Sequence, residues 1–279
     1  MTTSNPTPSA DADPGNVCAE DNPWNPILPE NVKLGESGIH HLEKVDPRKD
    51  DLILSLETLD VAENQRVDQE KKLIFHVLGC SGDPITAAPQ DAVAGAIASQ
   101  LALPDSASFL YHLGDIAYKP KEPESGAQVQ SDKKELKIEQ DRLISDEFYQ
   151  AYPSYHREIV AVAGNHDGKY HQDKETGKVK LDKSPMFHFL INFCAKKRDR
   201  SPDDMDGSHR RTQNQPYPFW VLDTPVASLI GLYTNVLNGG QLDPPGTEKG
   251  PQYQWLVRTL KRLKDSKKPI LVMLHYPPV

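Results

Sequence analysis

Short apolar runs that break into glycine-containing polar turns recur along the chain, and their spacing predicts an α/β fold. The clearest is Glu158 to Ala163, rich in Val and Ile, which predicts a buried strand and ends in Gly164-Asn165-His166-Asp167-Gly168. Gly164 and Gly168 are expected to take backbone angles that a side chain would forbid. Lys72 to Leu78 predicts an earlier strand, ending in Gly79-Cys80-Ser81-Gly82-Asp83-Pro84, and Ala107 to Leu113 another, ending in Gly114-Asp115-Ile116-Ala117-Tyr118. Between those two, Ala88 to Leu101 carries Val93, Ile97 and Leu101 at spacings of four and predicts a helix. A further helix is predicted around Ile138 to Tyr152. The order strand, helix, strand, helix, strand argues for parallel strands joined by right-handed crossovers. The three turns are therefore expected along one edge of one sheet, where open α/β sheets bind ligands.

Farther along, Pro185 to Ala195 predicts an amphipathic helix, and Phe219 to Asp223 with Val226 to Tyr233 an antiparallel pair around Thr224-Pro225. Gln252 to Lys264, with Trp255, Leu256, Leu260 and Leu263, predicts a helix; Pro269 to Leu274 predicts a last strand, running into His275. Three polar stretches, Lys119 to Glu135, residues 169 to 183 and Lys196 to Gln215, interrupt this order. The last mixes arginines and aspartates and reads as a solvated loop. Residues 1 to 70 read as a disordered or loosely packed extension, with Pro6, Pro8, Pro14, Pro23, Pro26 and Pro29 breaking any apolar period. Trp24, Ile27 and Leu28 could anchor it; Asp51 to Val61 reads as an edge strand or a short helix. The domain is expected to span 71–279.

The net charge of −8 gives no reason to expect binding to nucleic acid or an acidic membrane surface, both of which call for basic patches. Cys18, Cys80 and Cys194 are far apart, with no Cys-x-x-Cys, so no disulfide framework or zinc knuckle is expected and a reducing compartment is the plainer reading. No run reaches the roughly 18 apolar residues of a membrane span. The start has neither a basic nor an apolar leader region, so the expected location is the cytoplasm. Oligomeric state leaves no signature.

Chemistry gathers at the strand ends, which offer Cys80, Asp115 with Tyr118, Asn165 with His166 and Asp167, and His275. A carboxylate, a carboxamide oxygen and imidazoles from separate strands suit a divalent first-row metal. Asp115 has two oxygens and can bridge two ions about 3.5–4 Å apart, which clamp a phosphoryl displacement and supply hydroxide at neutral pH. His166 can protonate the leaving oxygen, with Asp167 fixing its tautomer. The alternative for Asn165 and Asp167 is a polar turn, and for Tyr118 a half-buried aromatic. His76 and His112, inside apolar strands, read as hydrogen-bonded core or edge residues, with a supporting role open to His112 near Asp115. The remaining six histidines read as surface or loop. No Gly-x-x-x-x-Gly-Lys-Ser/Thr and no Gly-x-Ser-x-Gly occurs, which argues against a P-loop nucleotide binder and a serine hydrolase.

Gly114-Asp115, Gly164-Asn165-His166-Asp167 and His275, in that order, resemble the motifs of the calcineurin-like metallophosphoesterase family. Tyr118, three residues after Asp115, is closest to its purple-acid-phosphatase-like branch. The resemblance implies a sandwich of two mixed β-sheets flanked by helices, with a dinuclear site of manganese, iron or zinc. It implies hydrolysis of phosphate mono- or diesters by a metal-bound hydroxide. Asp115 resembles the bridging ligand, Asn165 and His275 ligands of the second ion, Tyr118 a ligand of the ferric enzymes, and His166 the catalytic histidine. Two departures stand out. Cys80 occupies a slot where the family has aspartate, with Asp83 the nearest carboxylate, and the sequence stops at Val279 before the expected Gly-His-x-His, so the C-terminal part is expected to be missing. They open a second reading, an inactive fragment or pseudoenzyme kept as a binding scaffold.

Overall fold

Phe109-Leu110-Tyr111-His112 is buried at every position, and this strand is the centre of the first sheet. A computed structural model describes residues 45–82, 88–118, 144–167, 170–172, 179–181, 189–190, 192–194, 213–234 and 250–276. Strands β2 (His76–Leu78), β3 (Phe109–His112) and β4 (Glu158–Ala161) form a parallel sheet in sequence order. Register runs from His76 opposite Leu110 and from Phe109 opposite Glu158. Among the described residues this sheet is parallel throughout, where a mixed sheet was expected. A buried parallel strand is apolar on both faces, which is why β3 and β4 read as near-continuous apolar runs.

The second sheet has the order β1-β7-β8-β9, built from β1 (Ile53–Ser55), β7 (Trp220–Asp223), β8 (Ser228–Leu232) and β9 (Ile270–Leu274). Only β7 and β8 are antiparallel, as expected of a pair turning at Thr224-Pro225; β1 and β9 lie parallel to their neighbours. A third, two-stranded ladder joins β5 (Tyr170–Gln172) to β6 (Val179–Leu181), inside the stretch expected to be loop.

The sheets meet through aromatic and amide contacts. Tyr111 of β3 stacks on Trp220 of β7 with centroids 6.0 Å apart. Ala161 of β4 is clamped by Gln215, whose Oε1 accepts from its N–H at 3.0 Å and whose Nε2 donates to its carbonyl at 2.9 Å. Trp220 Nε1 donates to the same carbonyl at 3.2 Å. A strand edge buried in this way keeps its backbone groups paired.

Residues 45–70, expected within a loosely packed extension, are built into the fold. Both alternatives for Asp51 to Val61 hold: β1 is an edge strand, and helix α1 (Leu56–Leu59) follows it directly. Ser55 caps α1 by accepting from the Thr58 N–H, and Asp60 caps helix α2 (Val61–Glu70) by accepting from the Glu63 N–H. Leu52, Leu54, Leu56, Leu59 and Val67 join the core. Helix α4 (Pro251–Leu263) reaches back to them: Trp255 Nε1 donates to the Asp51 carbonyl, and the Arg258 guanidinium donates to the carbonyls of Pro47, Arg48 and Asp50.

Helix α3 (Ala88–Gln100) forms where expected, with Leu101 buried and Ile97 packed against the core as its period predicts, but Val93 faces outward. Gln90, Ala94 and Leu101 are buried, whereas Val93 is 47% exposed. Gln90 Nε2 donates to the Glu147 carbonyl in the π-helical turn Ser145–Tyr149, and this contact helps fix the rotation of the helix. That turn and the helical residues Phe189, Leu190, Asn192 and Phe193 are the described parts of two expected helices. No described helix is long and apolar enough to cross a membrane.

Candidate metal centre

The ends of β2, β3 and β4 lie side by side, as their alternation with helices predicts. Leu113 N–H donates to the Leu78 carbonyl at 2.7 Å, Cys80 N–H to the Gly114 carbonyl at 2.9 Å, and Val162 N–H to the His112 carbonyl at 3.0 Å. The ladder hydrogen bonds thus extend past the strands and bring three turns together. Gly114 takes a φ of 93°, which a side chain would resist. Gly164, expected to need the same freedom, has no positive φ. Its requirement is steric instead: a Cβ there would strike the backbone N and the Oδ1 of Asp115. Gly168 and Asp83 lie outside the described residues. Cys80 and Asp115 both adopt the left-handed region at φ 53°, which aspartate tolerates better than most residues.

Asp115 is buried and is the hub of the site. Its Oδ1 accepts the His166 backbone N–H at 2.8 Å. Its Oδ2 accepts the Tyr118 hydroxyl at 3.2 Å and lies 3.4 Å from His275 Nε2 and 4.0 Å from Cys80 Sγ. Burial alone would raise the Asp115 pKa, but the His275 contact and the His166 amide outweigh it and hold the carboxyl below its ordinary range.

His275 arrives from the end of β9 in the other sheet. Its Nδ1 lies 2.8 Å from the Leu113 carbonyl, an acceptor only, so Nδ1 carries a proton. Nε2 is thereby turned toward Asn165 Oδ1 at 3.1 Å and Asp115 Oδ2 at 3.4 Å. Two oxygen acceptors face that one nitrogen, an arrangement satisfied by a proton or by a cation. The Asp115 carboxylate accordingly raises the His275 pKa, against the opposing effect of burial.

The backbone of the site is held by Asp167. Its Oδ2 accepts the N–H groups of Asp115 and Gly164 at 2.8 Å each, and its Oδ1 accepts from Ile116 at 3.1 Å. Burial nevertheless pushes its pKa up to about 6. Asp167 was expected to fix the His166 tautomer; the structure puts its oxygens on amides, where a carboxylate with several lone pairs can staple two turns. His166, half-buried, packs its ring against Tyr118 with centroids 4.3 Å apart. Tyr118 is thus a packed aromatic, and its hydroxyl donates to Asp115. Burial, and then the neighbouring Cys80 and Asp115, push its phenol pKa far up.

His112 supports the same turns from below. It is fully buried; its Nδ1 accepts the Gly114 N–H at 3.2 Å, so its Nε2 donates to Ser81 Oγ at 2.8 Å. Burial drives its pKa down to about 3. His76, as expected, is hydrogen-bonded away from the site, to Tyr155 and Gln100. Sequence reasoning missed two supporting residues. Ser81 stood inside the Gly-Cys-Ser-Gly turn and was legible as part of it. Glu147, whose Oε2 accepts the Tyr118 N–H at 2.9 Å, sits 29 residues away with no local signal.

Among the described residues, one His/Cys/Asp/Glu group has the geometry for an ion: ligand atoms of Cys80, Asp115 and His275 all lie within 4.8 Å of one another. Thiolate, carboxylate and imidazole together suit a borderline first-row metal such as zinc. The donor set therefore fits a bound metal. The family model for calcineurin-like phosphoesterases matches residues 77–279.

The chain belongs to the calcineurin-like phosphoesterase family.

The match begins inside β2 and takes in every strand-end turn and His275 of this calcineurin-like phosphoesterase. Neither curated proteins nor solved structures yielded a match. Members of this family generally bind divalent metals and act on phosphate esters.

Proposed function

We propose that the domain hydrolyses phosphate mono- or diesters at the strand-end site, in the manner of the purple-acid-phosphatase-like branch. The observation that carries this reading is the orientation of His275. Its Nδ1 is committed to the Leu113 carbonyl, and its Nε2 faces both Asn165 Oδ1 and the Asp115 carboxylate.

On this reading Asp115, Asn165, His275, Cys80 and Tyr118 would hold the ions. Ions held there supply Lewis acidity and an activated water at neutral pH. The chain's own residues do the rest. His166, with its amide tied to Asp115 Oδ1 and its ring against Tyr118, protonates the departing oxygen. Asp167 keeps the Asp115 and Gly164 amides in place. The Tyr111–Trp220 stack between sheets, with helices α3 and α4, supports a two-sheet sandwich flanked by helices.

A second reading, a scaffold that has lost turnover, is favoured by Cys80, an exposed thiol 4.0 Å from Asp115 Oδ2 in the position of a family aspartate. Both readings are separated by assaying chelated protein with mono- and diester nitrophenyl phosphates after adding manganese, iron or zinc. Metal-dependent turnover that falls by about 100-fold or more in His166→Ala, with metal binding retained, is the expected result. Stoichiometric metal without turnover on either ester would leave the scaffold reading standing.

A further inference from the structure

We propose that Cys80 is itself a metal ligand, and that its sulfur makes the Asp115 site select zinc over manganese. This rests on the proposed function only for where the metal sits. The donors gathered at Asp115 Oδ2 are chemically unequal. His275 Nε2 and Asn165 Oδ1 lie 3.1 Å apart, and Nε2 lies 3.4 Å from Asp115 Oδ2. Those separations suit nitrogen and oxygen donors at about 2.0–2.2 Å from one ion. Cys80 Sγ lies 4.0 Å from the same oxygen, and ligand atoms of Cys80, Asp115 and His275 all lie within 4.8 Å of one another. Zinc–sulfur and zinc–oxygen bonds of about 2.3 and 2.1 Å are long enough together to bridge the gap between sulfur and oxygen.

Cys80 is not a cysteine that merely happens to lie near. Its N–H is held by the Gly114 carbonyl, and its backbone is in the left-handed region, as is that of Asp115. Ser81, next to it, is anchored by the buried His112. The turn that presents the thiol is therefore fixed at both positions. The second observation is His275, whose side chain is only 9% exposed and whose Nε2 faces two oxygen acceptors across the same site. That imidazole, the Asp115 carboxylate and the Cys80 sulfur bring ligand atoms within 4.8 Å of one another, close enough for one cation to bridge.

Sulfur changes which cation. A thiolate is a soft donor that favours zinc, cobalt(II) and cadmium, whereas manganese and magnesium favour oxygen. On binding, the Cys80 S–H gives its proton to the buffer and the thiolate donates to the ion. No oxidant or reductant is involved.

The test uses cobalt(II) as a spectroscopic stand-in for zinc on the full chain. The expected result is a near-ultraviolet sulfur-to-cobalt charge-transfer band that saturates with added cobalt and disappears when zinc displaces it. Cys80→Ser should abolish the band yet keep the visible cobalt bands of the nitrogen and oxygen donors. Cys80→Asp should lower the zinc-to-manganese affinity ratio by about tenfold or more, since a carboxylate is the harder donor. Zinc, and not manganese, should also protect the Cys80 peptide from iodoacetamide, with the site of alkylation read by peptide mass mapping. Far-ultraviolet circular dichroism of both variants checks that they fold. Cobalt bound with visible bands and no sulfur band would overturn the Cys80 assignment and leave the phosphoesterase reading intact. No cobalt or zinc bound at all would overturn both.

Discussion

One oxygen of Asp167 joins two strand ends: Oδ2 accepts the amide N–H of Asp115 and the amide N–H of Gly164, each at 2.8 Å. The metal-facing carboxylate of Asp115 is therefore positioned by a second carboxylate that never needs to touch an ion. Asp167→Asn retains one acceptor oxygen but turns an amide NH2 toward the N–H groups that the other oxygen served. Expected losses are about 1–3 kcal/mol of stability and about 10- to 100-fold in metal affinity. Denaturant unfolding and calorimetric zinc titration measure the two. A variant with native stability and native zinc affinity would show that Asp167 is not the staple.

Glycines in this protein divide by what a Cβ would meet. At Gly164 it would strike Asp115, and at Gly114 it would strike the Gly164 backbone while also facing a φ of 93°. Gly164→Ala is expected to destabilise by about 3 kcal/mol or more, in the range of overpacking and strain. Gly95, in the middle of exposed α3, has open space around it. Gly95→Ala should instead stabilise by about 0.5–1 kcal/mol through helix propensity alone. Thermal denaturation of both variants should show shifts of opposite sign.

His112 sets an acid limit on the folded turn. Its pKa lies at about 3 in the folded chain, against about 6.5 when unfolded. The unfolded chain binds the extra proton across that window, so stability is complete above the unfolded pKa and is lost as pH falls toward 3. The slope from this group approaches about 1.4 kcal/mol per pH unit. Protonating Nδ1 would also remove the acceptor of the Gly114 N–H. His112→Gln should be less stable at neutral pH, with a shallower fall between pH 6 and 4. Urea unfolding at each pH reads the difference, and parallel wild-type and variant curves would exclude it.

Tyr111 has a fully buried hydroxyl with no hydrogen-bond partner among the described residues. Its ring already does its packing work against Trp220. Tyr111→Phe removes a desolvated, unsatisfied oxygen and keeps the stack, and it should stabilise the protein by about 1 kcal/mol. The urea midpoint should rise with an unchanged m-value; a fall would mean that the hydroxyl has a bound partner such as water.

Much of the architecture is written in local pattern. A buried parallel strand needs a run such as Leu110-Tyr111 or Ile159-Val160-Ala161, and its end needs a turn, so β3, β4, their Gly-Asp and Gly-Asn-His-Asp turns, and the β7–β8 pair were all legible from residues close in sequence. The candidate ligands Asp115, Asn165 and His275 were legible for the same reason, because each lies in the turn that follows a strand. What the chain alone did not determine depends on partners far away in sequence. Periodicity placed Ile97 and Leu101 of α3 toward the core correctly, but at its first turns Gln90 and Ala94 are buried in place of Val93, where Gln90 reaches the Glu147 carbonyl. The inclusion of residues 45–70 depends on Trp255 and Arg258, some two hundred residues later. Asp167 carries the same side chain whether it orients an imidazole or staples amides; only the approach of the Gly114-Asp115 turn decided which. Hydrogen-bond assignment is a matter of distance in space, and one-dimensional order supplies that distance only within a turn or a strand.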